Sequence, residues 1–145
     1  MSELAKLALD EDFEEAVKAA DSNRWSLARK GDLEVWVTLS PEGHSTETFT
    51  ARLFWLNYPG DLPPSVRFVE PETGRLGVPA AWPTGPGFRP PNDICANWCS
   101  EGYDTHPEWR TDSAIRLKIR GNALLMIVRL LKQELDVNFT GRHRP

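Results

Sequence analysis

Apolar residues recur along the first part of the chain at spacings that predict a helix. Over residues 3–20 they stand three or four positions apart, which places them on one face of an amphipathic helix. The positions on this face are Leu9, Phe13, Ala16, Val17 and Ala20. Asp21, Ser22 and Asn23 follow as a stop and turn signal.

The next segments alternate apolar and polar residues with a period of two, as strands with one buried face do. The first segment has Leu33, Val35, Val37 and Leu39 on the apolar face, and the second has Phe49, Ala51, Leu53 and Trp55. A short strand is expected at residues 65–69, after a rim whose prolines forbid helix. Three or four strands joined by short turns and packed by a helix predict an α+β fold with a four-stranded antiparallel meander.

The second half of the chain predicts a long loop and a buried helix. Residues 70–112 hold most of the 12 prolines, both cysteines and half of the six tryptophans. That is too much proline for regular structure and too many aromatic residues for disorder. Because a long ordered loop in a compact domain is usually functional, we place the candidate site within about residues 70–120. Residues 121–135 are apolar nearly all round, which predicts a buried helix with Asn122 as its N-cap.

Length and charge narrow the class of protein. The 145 residues correspond to one domain, residues 1–145. A net charge of −4 argues against a general nucleic-acid binder, and we interpret the basic cluster Arg142, His143, Arg144 as a short solvated tail. The chain has no apolar run long enough to span a membrane and no signal-peptide pattern at its start. We therefore expect a cytoplasmic protein with neither a nucleic-acid nor a membrane partner.

The two cysteines are Cys95 and Cys99. In a reducing cytosol they are not expected to form a structural disulfide. Two cysteines alone are too few for the common structural zinc sites, and the sequence predicts no cofactor.

Several motifs, in this order, resemble those of the ubiquitin-conjugating enzymes. Tyr58-Pro59 followed by residues 63–68 is similar to the Tyr-Pro…Pro-Pro-x-Val-x-Phe signature of that family. Residues 92–95, Asn-Asp-Ile-Cys, resemble its active-site segment, and Trp109 followed by the apolar helix resembles its tryptophan and central helix. The resemblance covers roughly residues 3–136. It implies a ubiquitin-conjugating-enzyme-like fold in which the proline motifs are structural.

The chain also departs from that family in several places. The His-Pro-Asn motif is absent, and only Pro-Asn survives, within residues 87–92. The chain has an insertion around residues 81–83, an unusual loop over residues 98–109, and little sequence after the central helix. Together these features are similar to divergent relatives found in bacterial ubiquitin-like conjugation operons, some of which act against phages.

The resemblance implies a chemistry centred on Cys95. This cysteine would accept a ubiquitin-like protein as a thioester from an activating-enzyme-like protein and pass it to an amine, commonly a lysine of a protein acceptor. A cysteine suits this role because its thiolate is both a nucleophile and a good leaving group. Asn92 and Asn97 are candidates for stabilising the oxyanion, and Asn92 is favoured because it precedes the cysteine, as the family's asparagine does.

The incoming amine must lose a proton, and four residues near Cys95 in sequence are candidates to take it. They are Asp93, Asp104, Tyr103 and His106. Each candidate also has a structural interpretation: Cys95 can be a buried core residue, the asparagines can shape turns, and His106 can fix the loop. Cys99 is interpreted as a bystander.

Two other functions fit the sequence. The first is a non-catalytic module that only binds a ubiquitin-like protein, which the missing His-Pro-Asn favours. The second is a metal site made of Cys95, Cys99 and His106 with Asp104 as a fourth ligand, although this spacing matches no common zinc pattern.

Overall fold

The computed structural model describes residues 3–144 and begins with helix α1, Glu3–Val17. Leu9 and Ala16 are fully buried, as the periodicity predicts. Phe13 is partly buried and packs against the same core. The predicted amphipathic helix is therefore confirmed, and it attaches to the core through one narrow face.

The helix is shorter than the periodicity predicts. The prediction that Val17 and Ala20 lie on the buried face is wrong, because Val17 is 44% exposed and Ala20 is exposed. The helix ends at Val17, and the chain turns there, with the N–H of Ala19 donating to the carbonyl of Ala16. Residues beyond that turn no longer follow the 3.6-residue repeat.

A four-stranded antiparallel meander follows, with strands adjacent in space in the order of the chain. Its strands are β1 Ser26–Gly31, β2 Glu34–Leu39, β3 Phe49–Phe54 and β4 Ser65–Val69. This confirms the predicted meander. The edge strand β1 was not predicted from alternation, because its residues are all exposed or half-buried and show no apolar period.

The two predicted alternating faces form the core side of the sheet. All eight predicted positions from Leu33 to Leu39 and from Phe49 to Trp55 are at most 3% exposed. Register pairs Val35 with Leu53 and Val37 with Ala51, which brings the two faces together. Fully burying a large aliphatic side chain contributes about 1.5–3 kcal/mol, so this face is a principal source of stability.

The second large helix, α3, spans Ala123–Asn138 and packs against α1. The Oδ1 of Asn122 accepts the N–H of Leu125 at 2.9 Å, so the predicted N-cap is confirmed. Leu124, Ile127 and further apolar side chains of α3 join α1 and the sheet in one hydrophobic cluster. Among residues 3–144, neither α3 nor any other helix is both long and apolar enough to cross a membrane.

The Tyr-Pro rim is tied to both large helices. The hydroxyl of Tyr58 donates to the carboxylate of Asp12 on α1 and accepts the N–H of Leu124 on α3 at 2.9 Å. Tyr58 is 3% exposed. These contacts support the structural role that the sequence assigns to this motif.

The long loop contains more regular structure than its prolines predict. It includes β5 Pro83–Thr84, β6 Phe88–Arg89, β7 Asp93–Ile94 and helix α2 Ser100–Thr105. The prediction of a loop without regular structure is wrong over these short elements. None of them exceeds six residues, and the one proline among them is the first residue of β5.

The C-terminal tail is attached to this loop. Strand β8, Gly141–Arg142, pairs with β5. Arg142 donates to the carbonyls of Thr48 and Ala80 at 2.8 Å and lies over the ring of Phe49. The interpretation of Arg142 as part of a solvated tail is therefore wrong, because its guanidinium is held by these two carbonyls and the aromatic ring.

Candidate active site

A small hairpin presents Cys95. Strands β6 and β7 pair through Phe88 with Ile94 and Arg89 with Asp93, and Cys95 follows directly after β7. Its N–H donates to the carbonyl of Gly87 at 2.8 Å, which extends the hairpin by one hydrogen bond. Ile94 and Ala96 are buried on either side, whereas Cys95 is only half-buried. Strand alternation thus anchors the hairpin and turns the thiol outward.

Helix α2 packs closely against the turn that follows Cys95. Gly102 allows this approach, because a Cβ atom there would lie 2.2 Å from the carbonyl oxygen of Ala96. The backbone N–H of His106 donates to the carbonyl of Gly102 at 2.8 Å and ends the helix. The position of His106 relative to the turn is therefore set by the backbone.

His106 is the candidate proton acceptor that faces the thiol. Its Nε2 lies 4.0 Å from the Sγ of Cys95. Its ring stacks on Trp109, with centroids 4.3 Å apart and an interplanar angle of 16°. Its Nδ1 lies 3.4 Å from a carboxylate oxygen of Glu108. The Cys95 thiol, the His106 ring and the Glu108 carboxylate are thus neighbours in that order, as a nucleophile, a base and a group that can orient the base.

The other three candidate proton acceptors have different environments. Asp93 accepts two hydrogen bonds from Arg89 at 2.7 and 2.8 Å, which occupy both of its carboxylate oxygens. Tyr103 is buried, donates to the carbonyl of Asn97 and accepts the N–H of Leu117. Asp104 is exposed, with Arg110 at 3.6 Å. The structure therefore favours His106 over these three.

The two asparagines also differ. Asn97 donates from Nδ2 to the carbonyl of Ile115 at 2.6 Å, which ties the turn after Cys95 to the later part of the loop. Asn92 is exposed at the tip of the hairpin, and only its backbone forms a hydrogen bond within residues 3–144, to Arg67 and Arg89. At about 3.3 Å of strand rise per residue, Asn92 lies roughly 10 Å along the chain from Cys95. Asn92 therefore precedes strand β7, whereas Cys95 follows it.

Two residues of the site were missed from the sequence. Glu108 stands two positions after His106, and a turn through Pro107 brings its carboxylate back to the ring. Arg89 lies across the hairpin from Asp93, and the hydrogen bonds between them, with a smaller contribution from nearby Cys95, raise the pKa of this guanidinium. Glu108 could have been noticed in the sequence, because it closes the run His106-Pro107-Glu108. Arg89 could not, because its position depends on the register of the hairpin.

The second cysteine has the opposite environment. Cys99 is 0% exposed, and burial raises the pKa of its thiol well above the ordinary value. Both cysteines are free thiols. Within the described part of the chain, no group of three or more His, Cys, Asp or Glu residues is placed to share a metal ion. The four ligands of the metal-site hypothesis are therefore not brought together.

Comparison with solved structures identifies the fold. The chain is similar to the crystal structure of ubiquitin conjugating enzyme E2 UbcA1 from Agrocybe aegerita, with a TM-score of 0.61 and 18% sequence identity. The match covers 99% of this chain and 89% of that one. No protein-family model and no curated protein sequence matches the chain. The expected α+β fold with an N-terminal helix, a meander and a later helix is confirmed.

Proposed function

We propose that this chain, which has the ubiquitin-conjugating-enzyme fold, carries a ubiquitin-like protein as a thioester on Cys95 and transfers it to an amine. The observation that carries the proposal is the half-buried Cys95 directly after β7, with Nε2 of His106 4.0 Å from its Sγ. A free, accessible thiol beside a base is what acyl transfer requires. The buried Cys99 offers neither feature.

The proposed reaction has two acyl transfers. In the first, the Sγ of Cys95 attacks the thioester held by an activating-enzyme-like protein, and the thiol of that protein leaves. In the second, an acceptor amine, commonly a lysine, attacks the new thioester, and the Cys95 thiolate leaves. The amine loses one proton in this step, and we assign His106 as the group that receives it.

The tetrahedral intermediate carries an oxyanion that needs a donor. Of the two asparagines, we favour Asn97. Its Nδ2 has two hydrogens, and Ile115 is the one acceptor that it has within residues 3–144. Removing one such donor costs about 3 kcal/mol of transition-state stabilisation in a well-studied hydrolase. Asn92 remains the choice that the sequence order suggests.

The biological setting is a proposal of the same kind. The departures from the eukaryotic motifs favour a bacterial ubiquitin-like conjugation system in the cytoplasm. Within such systems, we propose a role in defence against phages. The proposed partners are a ubiquitin-like protein, an activating-enzyme-like protein and a protein acceptor with a lysine. The net charge of −4 gives no support to a nucleic-acid partner.

A non-catalytic binding module of the same fold is the second candidate function. The absence of His-Pro-Asn favours it, because a hairpin with the exposed Asn92 at its tip occupies that part of the chain. The proximity of the Cys95 thiol to the His106 ring favours the enzyme, because binding alone does not require a nucleophile next to a base.

A charging assay tests the proposal. The chain is incubated with its candidate activating enzyme, a ubiquitin-like protein and ATP, and then separated on a gel with and without reductant. We expect an adduct that reductant removes, that Cys95→Ala lacks and that the matched variant Cys99→Ala retains. An active partner set that gives no adduct would favour the binding module. Equal loss in the two variants would place the reaction elsewhere.

A further inference from the structure

The candidate site contains a third residue that the conjugation reaction does not explain. Glu108 approaches Nδ1 of His106 at 3.4 Å, on the ring nitrogen that does not face Cys95. Stacking on Trp109 holds the plane of the ring, and the N–H of Trp109 donates to the carbonyl of His106 at 3.0 Å. Nucleophile, base and orienting carboxylate form the constellation of cysteine hydrolases.

We propose that this chain also hydrolyses thioesters of peptide C-termini without a partner protein. Cys95 is the nucleophile, His106 is the general acid and base, and Glu108 is a positioning residue that acts through His106. The inference shares Cys95 with the proposed function. It differs in its final acceptor, which is water, and in needing no activating enzyme.

The open geometry of the site determines the substrate class. The side chain of His106 is 38% exposed and that of Glu108 is 66% exposed, so water reaches the base. An open site stabilises a tetrahedral oxyanion less than a closed one does. Hydrolysis is therefore expected for activated acyl groups such as thioesters, and not for peptide bonds.

The reaction balances without any other reagent. The Sγ of Cys95 attacks the thioester carbon, the bond to the substrate's sulfur breaks, and the departing thiol leaves with a proton from His106. Water then attacks the acyl group on Cys95, His106 takes a proton from it, and the bond between carbon and Sγ breaks. The net change is thioester plus water to carboxylic acid plus thiol.

The test uses the purified chain alone with an acetylglycine thioester of a small water-soluble thiol, and chromatography measures acetylglycine. We expect many turnovers per chain, no enzymatic product with Cys95→Ala, and retained activity with Cys99→Ala. His106→Gln should lower kcat by about 10²-fold or more, the usual contribution of a general base. Thermal unfolding of each variant checks that it is folded.

Glu108 has its own readout. Glu108→Gln should lower kcat several-fold with KM unchanged, and Glu108→Asp should recover part of the loss. The matched control is Glu72→Gln, which removes an exposed carboxylate from the distant residues 70–75. If Glu108→Gln behaves like the control, the positioning role is wrong.

The outcomes separate this inference from the proposed function. Product formation that survives in Cys95→Ala, or a single acylation of Cys95 without turnover, would overturn the hydrolase. A chain that is charged by its partners but fails to hydrolyse the small thioester would overturn the hydrolase alone. A chain that hydrolyses the thioester but is never charged would support the hydrolase and contradict the proposed function.

Discussion

The two cysteines show how much four positions of sequence can change the chemistry of a thiol. Cys95 is half-buried beside His106, whereas Cys99 is enclosed in the core and its thiol has a raised pKa. A thiol must lose its proton to act as a nucleophile, so a raised pKa leaves Cys99 protonated at neutral pH. The difference in burial and pKa comes from the surroundings of each cysteine and not from the residue type.

Alkylation of the folded chain with iodoacetamide at neutral pH should therefore modify Cys95 and spare Cys99. Mass spectrometry of peptides from the treated protein locates the label. Cys95→Ala should take up no label until denaturant unfolds it, because Cys99 is then exposed and its thiol regains an ordinary pKa. Rapid labelling of Cys99 in the folded protein would contradict the burial described here.

The site residues could be predicted from sequence only in part. Cys95 follows from its motif, and the list of candidate bases included His106. The choice of His106 among these bases could not be predicted from the sequence, because it depends on which carboxylates already have a partner. Asp93 is paired with Arg89, and Glu108 lies beside the His106 ring. Such pairings depend on how the loop folds back on itself, which single-sequence patterns do not encode.

Among the secondary-structure elements, helix α2 shows how tightly the loop is packed behind the site. Gly102 lies where any side chain would collide with the backbone of Ala96 and the ring of Trp109. A backbone carbonyl cannot yield as a flexible side chain can. The helix would have to shift, and His106 would move with it.

Gly102→Ala should lower the free energy of unfolding by about 1–3 kcal/mol, the usual cost of overpacking, and should reduce charging of Cys95. Gly31→Ala is the matched control, since a Cβ atom there meets only ordinary contact at 3.5 Å. Denaturant titration and the charging assay measure the two effects. Equal behaviour of the two variants would mean that α2 does not constrain the site.

The regular elements were predictable to different degrees for physical reasons. Strands β2 and β3 show strict alternation because one face of each packs on the core. Strand β1 lies at the sheet edge and has no buried face to impose a pattern. Strand β8 forms by pairing with β5. The two strands are far apart in the sequence, and local patterns do not span such a separation.

At the scale of the whole molecule, Tyr58 joins the proline rim to both large helices. Its hydroxyl donates to Asp12 and accepts the N–H of Leu124, and burial together with the Asp12 carboxylate raises the pKa of the phenol. Its folded-state pKa thus exceeds its unfolded value of about 10. The contribution of this group to stability is complete below that pH and declines above it, as the unfolded chain ionises first.

Tyr58→Phe should lower the free energy of unfolding at neutral pH by about 1–3 kcal/mol, because the N–H of Leu124 loses its partner. The wild-type chain should lose stability as the pH rises above about 10, and the variant should lose less. Denaturant titrations at several pH values measure both effects. An unchanged stability at neutral pH would show that this junction contributes little.

The variant Cys95→Ser shows whether Cys95 is the residue that carries the ubiquitin-like protein. Serine in the same place should trap the acyl group as an ester that survives reductant, whereas the wild-type adduct is lost with reductant. Mass spectrometry of the digested adduct should then place the C-terminal glycine of the ubiquitin-like protein on residue 95. A reductant-resistant adduct on a lysine, or an adduct mapped to Cys99, would mean that Cys95 is not the residue that carries the ubiquitin-like protein.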